Sequence, residues 1–261
     1  MTTELQALYL TVVIPCYNEA RNLERGVLDE VADYLAQQIY TWEVIIVNDE
    51  STDTSKQFIE AFIAGRPRFS LVNIPHGGKP AAVWAGIQQA RGELVLFTDM
   101  DQSTPIGELS KLLPWYDSGY QVVIGSRGSE RVGFSILRRV GSLVFRTLRG
   151  LFLLRGIRDT QCGFKSCQRA AALSVFPKLQ FFRQANRPKG WKVSAYDVEL
   201  LYLFEKAGCF IKEVEVEWRN RDVSDTKGQQ GELSRYIRES IDMAREVYRV
   251  KRNEARGMYL K

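Results

Sequence analysis

The chain has 261 residues, 45% of them hydrophobic and 26% charged, a balance that excludes disordered, collagen-like and low-complexity classes. No stretch approaches the roughly 18 consecutive apolar residues of a membrane-spanning helix, and Met1 to Leu10 carries Glu4 and no basic region, so no secretory signal is expected. The net charge of +5 has a local origin: Arg127 to Arg158 holds eight arginines against one acid, Glu130.

Four cysteines (Cys16, Cys162, Cys167 and Cys209) are too few for a disulfide framework, and a reducing, cytosolic setting is expected. In chain order, Leu10 to Pro15 is an apolar run ending in proline, a buried strand. Glu19 to Gln38 places Leu23, Val27, Val31 and Leu35 at helical spacing. A second β-branched run, Trp42 to Asn48, ends in the polar turn Asp49 to Asp53 with its helix N-cap candidates. Phe58, Phe62 and Ile63 suit the helix that follows. Phe69 to Ile74 predicts a third strand, Lys79 to Ala90 a helix and Glu93 to Thr98 a fourth strand. Pro105 to Asp117 reads as a helix and Tyr120 to Gly125 as a fifth strand. Helices at Gln168 to Phe176 and Asp197 to Ala207, a strand at Phe210 to Glu217 and a helix from Glu232 complete the order. Repeating β–α units of about 25 residues make a mostly parallel, doubly wound sheet that binds ligands at the carboxyl ends of its strands. No linker-like stretch divides the chain, so one domain is expected.

Cys16-Tyr17-Asn18-Glu19-Ala20 stands where a dinucleotide fold has G-x-G-x-x-G, and Gly77-Gly78-Lys79-Pro80 lacks the spacing and hydroxyl of a P-loop. A single histidine, His76, and scattered cysteines argue against zinc. Asp99-Met100-Asp101 follows the fourth strand, at the ligand-binding edge. Hard carboxylate oxygens there suit Mg²⁺ or Mn²⁺, although the same acids also read as a capping turn before Pro105. Pro15 to Glu19, Asp49, Lys79 and Arg127 fall on the same rim, and carboxylates with Lys and Arg at one edge describe a nucleoside-diphosphate site.

Within the basic segment, Leu137, Val140, Val144, Leu148 and Leu151 share one helical face, and Arg139, Ser142, Arg146 and Arg149 another. Such a helix reads as a membrane-surface, nucleic-acid or partner-helix binding element, or as a core-packing helix with a solvated basic face. Clustered arginine without acids or lysine favours anionic headgroups or a phosphate ligand.

Val13-Ile14-Pro15-Cys16-Tyr17-Asn18-Glu19, Val47 to Asp53 and Asp99-Met100-Asp101 together resemble a family-2 glycosyltransferase. Gly156-Ile157-Arg158-Asp159-Thr160-Gln161-Cys162-Gly163-Phe164-Lys165 and Tyr196-Asp197-Val198-Glu199-Leu200-Leu201 resemble the dolichyl-phosphate β-glucosyltransferases, with the mannosyltransferases as a related branch. The resemblance runs from Leu10 to about Lys227 and implies an α/β GT-A (Rossmann-like) fold. That fold has a mostly parallel central sheet, helices on both faces and amphipathic interfacial helices. It implies a nucleotide-sugar half (10–127), a basic interfacial segment (128–158), an acceptor-side half (159–230) and a C-terminal helix (231–261).

By the same resemblance, Pro15, Tyr17 and Glu19 line the nucleoside pocket, Asp49 contacts base or ribose, and Lys79 lies near the nucleotide. Asp99 and Asp101 match the metal pair, with Ser103 as a third oxygen ligand. Arg127 and Arg138 match arginines that hold phosphates, and Lys227 sits in a loop that closes over the site. The chain departs from the pattern at Asn48 and Glu50 beside Asp49, at Pro80-Ala81-Ala82, and at Gln102 to Pro105, which is closer to the mannosyl branch. The hydrophobic N-terminal anchor of eukaryotic glucosyl enzymes is not seen.

The reaction implied is inverting transfer of a hexose from a nucleotide-diphosphate sugar to a polyprenyl or dolichyl monophosphate. The Gly156 to Lys165 run favours UDP-glucose over GDP-mannose. A phosphate acceptor with a second pKa near 6 is largely ionised and needs no general base, only attraction and aim. The expected catalytic set is Asp101, Arg127, Arg138 and Asp197, with Asp197 read either as an active-site acid or as a helix N-terminal carboxylate. Asp159 and Lys165 read as a structural ion pair or as part of the acceptor site. The expected partners are the donor, the lipid phosphate and an anionic membrane surface on its cytoplasmic side. Nucleic acid is not expected, since only Phe134, Phe145 and Phe152 interleave with the arginines. The competing readings are a family-2 enzyme with a non-lipid acceptor and a non-catalytic basic binding module.

Overall fold

β1 (Leu10–Cys16) and β2 (Trp42–Asn48) are near-continuous apolar runs because helices cover both faces of the sheet around them. They pair in parallel, Val13 opposite Ile45, in a computed structural model that describes residues 7–128, 154, 156–183, 196–223, 245 and 247–259. β3 (Phe69–Asn73) extends the sheet beyond β2, and β4 (Leu94–Phe97) pairs in parallel with the other side of β1. With β5 (Val122–Ser126), β6 (Lys165–Gln168) and β7 (Ile211–Glu215) the order is β3-β2-β1-β4-β6-β5-β7. β7 is parallel to β5, while β6 runs antiparallel to both β4 and β5.

The helices in chain order are α1 (Ala20–Glu24), α2 (Val27–Ala36), α3 (Ser55–Ile63), α4 (Lys79–Gln89), α5 (Leu109–Leu112) and α6 (Pro114–Asp117). α7 (Arg169–Val175), α8 (Gln180–Arg183) and α9 (Tyr196–Lys206) follow, and residues 247–255 are helical. Alternate strand residues feed two cores, as a period of two requires. Leu10, Val12 and Ile14 pack with Leu23, Val31, Ile59 and Leu109 on one face. Val13, Ile45 and Val47 pack with Val83, Ile87, Ala172 and Leu201 on the other.

Two local readings need correction, and one strand carries no signal in the sequence. The expected helix from Glu19 to Gln38 is broken at Gly26, whose φ of 77° caps α2, yet Leu23 before the break and Val27, Val31 and Leu35 after it remain buried in one core. The expected helix from Pro105 to Asp117 is divided into a 3₁₀ turn (Ile106–Glu108), α5 and α6; the last begins at Pro114, which has no N–H to continue the preceding turn. β6 has no strand signature, because its four residues include a lysine and no apolar alternation. Lys165 is nevertheless 1% exposed. Its ammonium donates to Asp197 Oδ1 at 2.8 Å and to the Cys162 carbonyl, so the buried charge is met on both sides.

Cys16, Cys162 and Cys167 are buried free thiols. Among the described residues no helix is long and apolar enough to cross a membrane. Most of the basic segment, including Arg131, Arg138, Arg139, Arg146, Arg149 and Arg155, lies outside the described residues, as do Lys227 and residues 231–244.

Phe164, fully buried as the chain enters β6, packs in the same core as Val123, Cys162 and Val216. Phe164→Ala is expected to lower unfolding free energy by about 3–5 kcal/mol, the usual cost of an emptied phenylalanine site. Urea denaturation checks this; an unchanged midpoint would contradict the placement of Phe164.

Candidate active site

Strand order reverses at β1, which has β2 on one side and β4 on the other, and a crevice opens at the carboxyl ends where the connections diverge. The loops after β1 and β2 hold each other there. Asn18 adopts a left-handed φ of 55° and accepts from Thr52 N at 2.8 Å through its side-chain oxygen. Its own N–H donates to Ser51 Oγ at 3.1 Å, Glu19 N to Ser55 Oγ at 2.8 Å and Ala20 N to Asp53 Oδ2 at 3.1 Å. The polar turn Asp49 to Asp53 thus satisfies the backbone at the start of α1.

Asp49 is 3% exposed, and its carboxylate accepts from Gly77 N at 2.7 Å and Gly78 N at 2.8 Å, with His76 Nδ1 3.0 Å away. It thereby fixes the loop that opens α4 and delivers Lys79. Gly78, at φ 81°, takes a conformation that side chains rarely adopt. The Lys79 ammonium binds Asp99 Oδ1. The loss of water around Lys79 opposes its charge, but Asp99 and Asp197 outweigh this and hold its pKa above the usual lysine value. On its other side Asp99 abuts Gly163, where a Cβ would fall 1.9 Å from Oδ2. Only glycine admits the carboxylate at that point.

Asp101 accepts from Ser103 N at 2.8 Å, and burial followed by the Asp99 carboxylate raises its pKa. Asp222 arrives from the segment after β7, which is strapped to the crevice wall. Arg219 N donates to the Ser103 carbonyl at 2.8 Å, Arg221 N to Ser103 Oγ at 3.2 Å, and the Arg221 guanidinium to Glu30 at 2.6 and 2.8 Å. Asn22 bridges Asp222 and Glu19, donating at 3.2 and 2.5 Å. Burial pushes Glu19 up to about 7; Asp222, Asp101 and Asp99 add to the rise, while the Asn22 amide opposes it.

Of the residues expected at the site, Pro15, Tyr17, Glu19, Asp49, Lys79, Asp99 and Asp101 line one cavity of about 240 Å³. Ser103 is not among the lining residues and spends its polar atoms on Asp101 and the strap. Arg127 and Asp197 are not among the lining residues. Arg127 is clamped to Asp159, Nε at 2.7 Å and Nη2 at 2.8 Å, with its backbone N–H on the same carboxylate. Asp197, in the first turn of α9, pairs with Lys165. The ion pairs are therefore Arg127–Asp159 and Lys165–Asp197, rather than Asp159 with Lys165. Arg138 lies outside the described residues. Two contributors escaped the sequence reading. Asp222 is more than a hundred residues from Asp101 and carries no motif; His76, which stacks on Tyr17 at 4.3 Å, adjoins Gly77-Gly78-Lys79 and was legible only as a neighbour of that loop.

Among the described residues no three His, Cys, Asp or Glu side chains converge to cage a metal. What the crevice offers is an excess of carboxylate oxygens, with Asp101 raised in pKa by burial and by its neighbour Asp99. Two hard carboxylates fit a cation that completes its shell with water and phosphate oxygens. Lys79 adds an ammonium at the same point.

An open sheet reversing at β1 beside an acidic couplet fits the GT-A architecture that the sequence resemblance implies, and comparison with known proteins supplies the class, the glycosyltransferases. Residues 11–176 match glycosyl transferase family 2. Dolichyl-phosphate beta-glucosyltransferase ALG5C of Trichomonas vaginalis is 34% identical over 251 residues, covering 90% of this chain and 70% of that protein. The Homo sapiens dolichyl-phosphate beta-glucosyltransferase is 33% identical, over 80% of this chain and 67% of its own length. The fold is shared with glucosyl-3-phosphoglycerate synthase from Mycobacterium tuberculosis, solved with Mn²⁺ and uridine diphosphate. The TM-score is 0.59 at 22% identity, across 92% of this chain and 80% of that one. The chain belongs to glycosyl transferase family 2 and is a glycosyltransferase.

The Glu19 shift has a definite sign. The folded chain holds the Glu19 proton up to about 7, whereas the ordinary value is 4.5, so between these values the folded state binds more protons and its stability falls as pH rises. Glu19→Gln removes that loss. The melting temperature of the variant relative to wild type is expected to be higher at pH 8 than at pH 5; an equal difference at both would show that folding does not raise the pKa of Glu19.

Proposed function

We propose that the chain transfers glucose from UDP-glucose to a polyprenyl monophosphate of the dolichyl type, with inversion, aided by Mg²⁺ or Mn²⁺, at the cytoplasmic face of a membrane. The observation that carries this reading is the meeting of Tyr17, Lys79, Asp99 and Asp101 in one cavity of a chain whose relatives are named dolichyl-phosphate beta-glucosyltransferases.

In this reading the base lies against Tyr17, backed by His76, and Asp49 works at one remove by setting the glycine loop that carries Lys79. Asp99 and Asp101 would hold the cation, which supplies charge stabilisation to the departing diphosphate. An acceptor phosphate oxygen attacks the anomeric carbon as its bond to the diphosphate oxygen breaks, and the electron pair leaves with the nucleotide. The acceptor is already an anion, so no side chain has to take its proton. That accords with a site in which the single histidine is turned to Asp49 and Tyr17.

The chain's remaining task is to shape and charge the acceptor side. Arg127 acts by holding Asp159, and with it the loop whose Gly163 backs Asp99. Asp197 acts by anchoring Lys165 beneath the same loop. Arg138 belongs with the arginines that receive the lipid phosphate, and the basic segment gives reversible attachment to anionic headgroups.

The test is incubation of the purified chain with radiolabelled UDP-glucose or GDP-mannose and polyprenyl phosphate, followed by extraction of the lipid. Label is expected in the lipid from UDP-glucose, abolished by EDTA and restored by Mn²⁺ or Mg²⁺. Asp101→Asn is expected to reduce the rate by about 100-fold or more, the scale of several kcal/mol of lost charge stabilisation. Lipid labelled from GDP-mannose alone would reassign the donor. Transfer that is indifferent to EDTA and to Asp101→Asn would overturn the metal reading.

A further inference from the structure

Lys79 and Asp99 are the oppositely charged pair in the crevice, and both stay accessible, with side chains 36% and 43% exposed. The paired charges behind the crevice are enclosed: Lys165 and Asp197 are 2% and 13% exposed, and Arg127 and Asp159 are 19% and 12% exposed. The Lys79–Asp99 contact can therefore open without disturbing the core. Its two ends differ in freedom. Gly163 confines Asp99 from behind, whereas Lys79 is held only at its backbone, by the Asp49-bound glycine loop, and carries a flexible four-carbon stem. Asp101 has no ion-pair partner among the described residues, since the Arg221 guanidinium is committed to Glu30.

We infer that Lys79 is an exchangeable counter-cation: its ammonium neutralises Asp99 while the crevice is empty, and it moves off that carboxylate to a phosphate when Asp99 and Asp101 engage a divalent cation. The inference rests on the reading of the crevice as a nucleoside-diphosphate and metal site. An ammonium and a dication on one carboxylate oxygen repel each other strongly at such short range. Each occupant therefore prepares the site for the other. A diphosphate draws Lys79 away and exposes Asp99, and a dication on Asp99 sends Lys79 toward the diphosphate. Such reciprocity is a coupling between two ligands, and Lys79 is its positioning residue.

The consequence is that Lys79 holds down metal affinity in the absence of nucleotide, and does so through Asp99. Mn²⁺ binding to the full chain without nucleotide, read from the EPR signal of free Mn²⁺, tests this in a double-mutant cycle. Lys79→Met is expected to tighten Mn²⁺ binding about tenfold, within the ordinary range of site–site coupling. In the Asp99→Asn background the same substitution is expected to change affinity by less than about twofold, since additive behaviour marks uncoupled sites. Lys79→Arg, which keeps the charge, is expected to stay near wild type and reports on any variant that folds poorly. Equal gains in both backgrounds would overturn the inference, because the lysine would then act only as a distant charge; no gain in either would do the same. A parallel titration with UDP separates the two levels. If wild type binds UDP with Mn²⁺ and the cycle is additive, the inference alone fails. If wild type binds neither, the reading of the crevice fails and the inference goes with it.

Discussion

Glu19, Asp99, Asp101 and Asp222 face one crevice in which Lys79 supplies the ammonium. Burial in a partly dry space raises the pKa values of Glu19 and Asp101, and repulsion from the neighbouring carboxylates adds to the rise. A fold keeps such a cluster only where something else holds the backbone in place. Here the holding is done by hydrogen bonds to the backbone: the mutual clasp of the loops after β1 and β2, and the two glycine N–H groups on Asp49. The tension in the crevice is what a divalent cation would relieve.

Charges elsewhere in the molecule are treated differently. Glu43, 6% exposed, accepts from Thr11, from the Arg91 backbone and from the Arg91 guanidinium. Glu199, 1% exposed, accepts from Gln180 N, Arg249 and Tyr259 and ties the C-terminal helical residues to α9. Arg127–Asp159 and Lys165–Asp197 follow the same rule, and breaking such a pair leaves a stranded buried charge that costs more than the pair contributes. Balanced charge marks the scaffold of this enzyme, and unbalanced charge marks its working edge.

Much of this was legible in the residues. Strands that are apolar throughout, helices with a clear stripe and an acidic couplet at a strand end are local patterns, and each of β1 to β5 falls where the pattern puts it. The break at Gly26 was harder to see, because burial of Leu23 and Val27 on one side of the helix continues across it. β6 was not legible: its burial comes from Asp197, Tyr116 and the carbonyls of Cys162 and Val123, all distant in sequence or outside any periodicity. Asp222 was hidden for the same reason, since Ser103, Asn22 and Arg25 place it from far along the chain. Arg127 follows β5 at the sheet edge, but it does not line the cavity, and its carboxylate partner, Asp159, emerges only from the way the chain crosses behind Asp99.

Anomalous diffraction at the manganese edge, from crystals of the full chain grown with UDP and Mn²⁺, tests the account most directly. The account predicts one manganese peak bonded to carboxylate oxygens of Asp101 and Asp99, with the uracil ring against Tyr17 and the Lys79 ammonium turned to the diphosphate. Manganese bound away from that couplet, or a nucleotide seated outside the crevice at the ends of β1 and β4, would contradict it.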